Sequence, residues 1–141
     1  SRLWPEGIAL DPCGSPDGIV VAERIVIPPD NGLVIDWPAR TYANPPYDDL
    51  EPWLSRYGRS WEVGLLVPKR THRRWFRAAE RASSQVVDLD PVTFIGFQCA
   101  FPAPLCLLYR GTHDLQSIAE ACGLVDNYDG ADQMALFSEG A

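Results

Sequence analysis

At 141 residues, 46% hydrophobic and 22% charged, the chain is the size of one ordinary domain and has enough apolar material to bury a core rather than stay disordered. A net charge of −7 argues against a protein that coats nucleic acid or anionic membrane by bulk attraction, although it leaves room for a local basic patch. No apolar run approaches bilayer length and no signal-peptide pattern is present, so no membrane partner is expected; a first residue of Ser rather than Met is what trimming of upstream residues would leave.

In chain order, residues 7–11 read as a short buried strand that ends in a carboxylate, followed by a Pro/Gly-rich loop over 12–18. Residues 19–27 are β-branched and extended. A second Pro/Gly loop (28–32) leads to apolar runs at 33–36 and 40–43. After "NPPY", Asp48 or Asp49 is the expected cap of a helix that runs through Arg56 and stops at Gly58, with Pro52 tolerated only in its first turn. Residues 62–68 form the clearest buried strand. Residues 71–83 form the clearest helix, with Thr71 as N-cap and Trp75, Ala78, Ala79 and Ala82 on one face. Three strands are expected at 85–90, 92–97 and 104–110, then a short helix at 114–122 and an acidic tail. Helix and strand signals alternate first and strands cluster later. That pattern predicts a single three-layer α/β domain whose sheet is mostly parallel with an antiparallel edge.

The four cysteines, Cys13, Cys99, Cys106 and Cys122, form no CxxC pair and have no His at ligand spacing. A zinc site, or any metal site, is therefore not expected; a reduced, buried set fits a cytoplasmic setting. His113 with Asp114 has no nucleophile at useful spacing and reads as a loop and helix cap.

Adjacent prolines cannot sit inside a helix or a central strand, so Asn44-Pro45-Pro46-Tyr47 must be a rigid turn. It also suits a particular chemistry. An exocyclic amino group on a nucleobase is a poor nucleophile because its lone pair is delocalised into the ring. A site that accepts both amino hydrogens localises that pair. The Asn44 side-chain oxygen can accept one, and the Pro45 carbonyl, aimed by the proline that follows, can accept the other. Tyr47 offers a flat face for a base that has left the duplex. The plainer alternative is a stiff loop whose tyrosine packs on the core.

"NPPY" after an apolar strand resembles the (D/N/S)PP(Y/F/W) motif of S-adenosylmethionine-dependent amino-methyltransferases acting on DNA. "ALDPCGSPDG" resembles their first motif. The ordered set "ALDP", "DNGLVIDW", "YANPPY", "GLLVPKRTHRRWF" and "AFPAPLCLLY" is similar to the small phage DNA N6-adenine methyltransferase (phage Dam-like) family over about residues 7–110. The resemblance implies a Rossmann-like methyltransferase sheet, S-adenosylmethionine as cofactor and DNA as substrate. It places catalysis on Asn44, Pro45, Pro46 and Tyr47. It sets Asp11, Pro12, Cys13 and Gly14 against the methionine end of the cofactor and Asn31 or Asp36 against its adenosine, with Glu23 as a further ribose candidate. The chain departs from the pattern in two places. Pro16 stands where the glycine loop would end, and Asn31 stands where the family more often has Asp.

The stretch "PKRTHRRWFR" concentrates positive charge in an acidic chain. Lys69, Arg70, Arg73 and Arg74, with His72 and Arg77, are candidates for phosphate contacts, against the alternative of a solvated helix face. No stretch is large enough to inspect several base pairs, so little or degenerate sequence specificity is expected unless a homodimer or a recognition subunit supplies it. Cytosine N4 or a protein glutamine amide are alternative acceptors, and a non-catalytic binding subunit is an alternative role.

Overall fold

The apolar runs become strands of one sheet. The computed structural model of the protein describes residues 3–15, 20–89 and 104–115. In chain order these hold β1 (Ile8–Asp11), β2 (Ala22–Ile25), a 3₁₀ turn (Gly32–Val34), β3 (Thr41–Ala43), α1 (Glu51–Tyr57), β4 (Val63–Pro68), α2 (Arg74–Ala82), β5 (Gln85–Leu89) and β6 (Leu105–Arg110). The strand order across the sheet is β2-β1-β3-β4-β6-β5. β1, β2, β3 and β4 run parallel; β6 is antiparallel to both β4 and β5, so the β6-β5 side is the antiparallel edge of the sheet. The protein is therefore a mixed α/β fold with a six-stranded, mostly parallel sheet.

β4 is buried at all six positions, as a central strand covered on both faces must be. Its side chains alternate between two cores. Val63, Leu65 and Val67 join Cys106 and Leu108 of β6 on the face that also holds Tyr57, Phe76 and Ala79 from the helices. Leu66 joins Leu105, Leu107 and Tyr109 on the other face, with Leu3, Trp4 and Leu115. Each such side chain contributes about 1.5–3 kcal/mol by leaving water. The two helices are also tied together: the Tyr57 hydroxyl meets Ser83 Oγ at 2.7 Å, and Ser83 Oγ donates to the Ala79 carbonyl at 2.8 Å. Both described helices thus lie on one face. Among the described residues the opposite face is covered by Leu3, Trp4 and Leu115.

Both helix starts differ from expectation. α1 begins after Leu50 with no side-chain cap, because Asp48 and Asp49 belong to the turn that the Asp49 N–H closes onto the Pro46 carbonyl at 3.4 Å. Its stop at Gly58 and its early Pro52 are as the sequence predicts. α2 begins after Arg73 rather than Thr71, because Arg73 N–H closes a turn on the Arg70 carbonyl at 2.8 Å and delays the helix. The run at 33–36 begins inside a 3₁₀ turn (Gly32–Val34) capped by Asn31. The expected strand at 92–97 and most of the helix at 114–122 lie outside the described residues. No helix among the described residues is long and apolar enough to cross a membrane.

Candidate active site

Asp11 ends β1 and Ala43 ends β3, so the parallel pairing of these strands carries the first loop and the NPPY turn to the same end of the sheet. The register pairs Leu10 with Thr41, which sets Asp11 one residue beyond the pair and Asn44 three beyond. Pro68, at the end of β4, brings the basic run to that end as well.

Asp11 is 5% exposed. One carboxylate oxygen accepts the Cys13 N–H at 3.0 Å, and the other meets no donor among the described residues. Burial raises its pKa above the ordinary 3.8, only partly offset by the Cys13 hydrogen bond. The loop is stitched to the end of β2: Val26 N–H donates to the Asp11 carbonyl, and Gly14 N–H donates to the Val26 carbonyl, each at 2.9 Å. A side chain at Gly14 would collide with Ile25, so this backbone approach requires glycine. Cys13 is a free, half-buried thiol, pushed up to about 11 by burial and by the neighbouring Asp11. Pro16, the departure from the glycine loop, lies outside the described residues.

The Asn31 segment is docked on this loop. A Cβ at Gly32 would overlap the backbone of Pro12, so the two chains touch here with no side chain between them. Asn31 Oδ1 is occupied by the Leu33 N–H at 2.9 Å, a capping role. Trp37 Nε1 donates to the Gly32 carbonyl at 2.9 Å, and its ring lies 6.0 Å from that of Trp53 in α1. Asp36 is exposed, 3.8 Å from Arg56. It borders a cavity of about 280 Å³ lined also by Ala9, Leu10, Arg24, Trp37 and Pro38. Glu23 lies on β2 and pairs with Arg40 at 3.0 Å.

Asn44 is exposed and Pro45 buried, and the Pro45 carbonyl meets no donor among the described residues. Tyr47 is half-buried and packs against both cores, while its hydroxyl donates to Asn44 Oδ1 at 2.8 Å. Burial is the main cause of its raised pKa, so the phenol is neutral at physiological pH. The basic run divides. Lys69 is paired with Asp88 of β5 at 2.6 Å, whereas Arg70, Arg73 and Arg74 make no ion pair among the described residues.

A second polar cluster, which the sequence reading did not anticipate, lies at the opposite end of the sheet. Glu62 accepts from the Tyr109 hydroxyl at 2.5 Å and the Thr112 N–H at 3.0 Å, and more distantly from Trp4 Nε1 at 3.4 Å; His113 Nδ1 stands 3.1 Å away. The antiparallel register that pairs Val63 with Arg110 assembles this group, so His113, in the loop after β6 as expected, also joins a carboxylate network. No group of three metal-ligating side chains occurs among the described residues.

No family model matches the chain, and neither a curated protein nor a solved structure is significantly similar to it.

Proposed function

We propose that the protein is an S-adenosylmethionine-dependent DNA methyltransferase that modifies adenine N6, with Asn44-Pro45-Pro46-Tyr47 as its catalytic turn and a Rossmann-like methyltransferase sheet as its frame. One observation carries the reading. A buried carboxylate, one oxygen of which meets no donor among the described residues, and an NPPY turn stand at the carboxyl ends of neighbouring parallel strands, where open α/β sheets gather ligands.

The donor set fits the cofactor. The free oxygen of Asp11 suits a cationic amino group, and a cation there would relieve the cost of burying that charge. Asp36 with Trp37 offers a polar and an aromatic wall for an adenosine. S-adenosylmethionine held there by Asp11, Asp36 and Trp37 would supply an electrophilic methyl group to N6. Asn44 Oδ1 and the Pro45 carbonyl accept the two amino hydrogens and localise the lone pair on nitrogen. The proton that N6 loses passes to solvent, so no side chain of shifted pKa is required. Arg70, Arg73 and Arg74 neutralise phosphates beside the turn. Adenines are methylated in short or degenerate contexts unless a second subunit or a further segment reads base edges.

The test is incubation with labelled S-adenosylmethionine and DNA, followed by digestion to nucleosides. Label in N6-methyl-2′-deoxyadenosine is the expected result. Label in N4-methylcytosine would move the acceptor to cytosine, and no label alongside measurable cofactor binding would favour a non-catalytic binding subunit.

A further inference from the structure

Asn44 is exposed, and an exposed amide can present either its oxygen or its NH₂ group after rotation about its last side-chain bond. Only one of these orientations accepts an amino hydrogen; the other sets donors against donors. The Tyr47 hydroxyl stands 2.8 Å from Asn44 Oδ1, and the ring that carries it is anchored between both cores of the sheet. A ring so seated has little freedom to follow a rotating amide. The phenol also stays protonated at working pH, which keeps it a donor.

We propose that Tyr47 is a positioning residue for Asn44: its hydroxyl occupies one lone pair of the amide oxygen, fixes the amide's orientation, and leaves the second lone pair aimed outward to accept from the target amino group. This rests on the proposed methyltransferase reading and adds to it a role for the hydroxyl that stacking by the ring does not require. An sp² oxygen has two lone pairs, so the contact with Tyr47 and the contact with substrate coexist.

Tyr47→Phe separates the two roles, because it keeps the ring and removes the donor. Losing one neutral hydrogen bond that biases an orientation should lower kcat about three- to tenfold, with KM for DNA unchanged. A second readout needs no activity: ¹⁵N relaxation of the Asn44 side-chain amide should report an ordered group in the wild type and an averaged one in Tyr47→Phe, with the unfolding transition of the two proteins alike. If the wild type transfers no methyl group yet amide order is lost in Tyr47→Phe, the positioning role stands and the methyltransferase reading falls. Unchanged amide order in Tyr47→Phe overturns the positioning role, whatever the rates. So does a lower KM at unchanged kcat, which would make the hydroxyl a competitor of the incoming base.

Discussion

Asp11 closes β1 at the carboxyl end of the sheet, and Glu62 precedes β4 at the amino end. Both carboxylates are largely shielded from water, at 5% residue exposure for Asp11 and 15% side-chain exposure for Glu62. Their surroundings differ. Asp11 has one hydrogen bond and a raised pKa. For Glu62, burial pushes the pKa upward, but hydrogen bonds from Tyr109, Thr112, His113 and Trp4 outweigh it and hold the group below its ordinary 4.5. One end of the sheet spends its polar groups on holding the chain together. The other leaves an acceptor unsatisfied, which destabilises the folded protein and becomes useful only when a ligand arrives.

The largest expected effect lies at the unsatisfied end. Asn44→Ala should lower methyl transfer by about a hundredfold or more, because an acceptor aimed at developing charge is lost, while fold and cofactor binding persist. Single-turnover transfer of labelled methyl groups measures it. Turnover near wild type would remove Asn44 from the catalytic turn.

The satisfied end should respond in stability instead. Glu62→Gln should cost about 2 kcal/mol, because the buried Tyr109 hydroxyl and its neighbours lose their charged acceptor. Because the folded pKa of Glu62 is lowered, its contribution is complete above the unfolded value of 4.5 and is lost as pH falls through the folded one. Denaturant unfolding between pH 3 and pH 7, a range chosen to bracket about 4.5, should therefore show a flatter acid limb in the variant than in the wild type.

Asp11→Asn should separate the two ends most plainly. The folded pKa of Asp11 is raised, so ionisation costs stability as pH rises through it, and the neutral amide removes that cost. The variant should be as stable as the wild type at neutral pH, or more stable by about 1 kcal/mol, yet bind S-adenosylmethionine more weakly in titration calorimetry. A destabilised variant with normal cofactor affinity would make Asp11 a loop-holding residue like Glu62.

The smallest effect concerns the flank of the site. Replacing Arg70, Arg73 and Arg74 with Gln should flatten the salt dependence of DNA association, each lost phosphate contact reducing the logarithmic slope by about 0.9 for duplex DNA. An unchanged slope would return these side chains to the solvated face of α2. Lys69 is left out of the set because Asp88 already holds its ammonium group.

What was legible in the sequence was local. The run at 62–68 declares a buried strand through the apolar content that follows Glu62, and Gly58 ends α1 where a helix stop was read. The apolar runs at 7–11 and 40–43 end where β1 and β3 end, and the parallel pairing of these strands brings Asp11 and Asn44 to one end. The α2 start was misplaced because Thr71 is a good capping residue by type, while the turn that displaces it is made by backbone groups of Arg70 and Arg73. The Glu62 cluster was illegible for a different reason. Glu62 and His113 meet only through the register of β4 on β6, which no local pattern encodes. The Tyr47 contact with Asn44 spans three residues within one turn, so it was within reach of sequence reasoning. The expectation of a stacking ring drew attention away from the hydroxyl.

Strand β6 is the last of the described strands to leave the ribosome, yet its place is between β4 and β5. During synthesis β4 and β5 therefore wait for their shared neighbour among the described strands until residues 105–110 emerge. Both waiting strands are rich in valine and leucine, the composition that pairs readily with the wrong edge. Val63 must find Arg110 across the whole of α2 and β5, and closing so long a segment is entropically slow. The parallel half, β2-β1-β3, has all its strands available early. The antiparallel half closes in one late insertion, so a nascent chain stalled before Leu105 carries the complete NPPY turn on a sheet that is not yet closed.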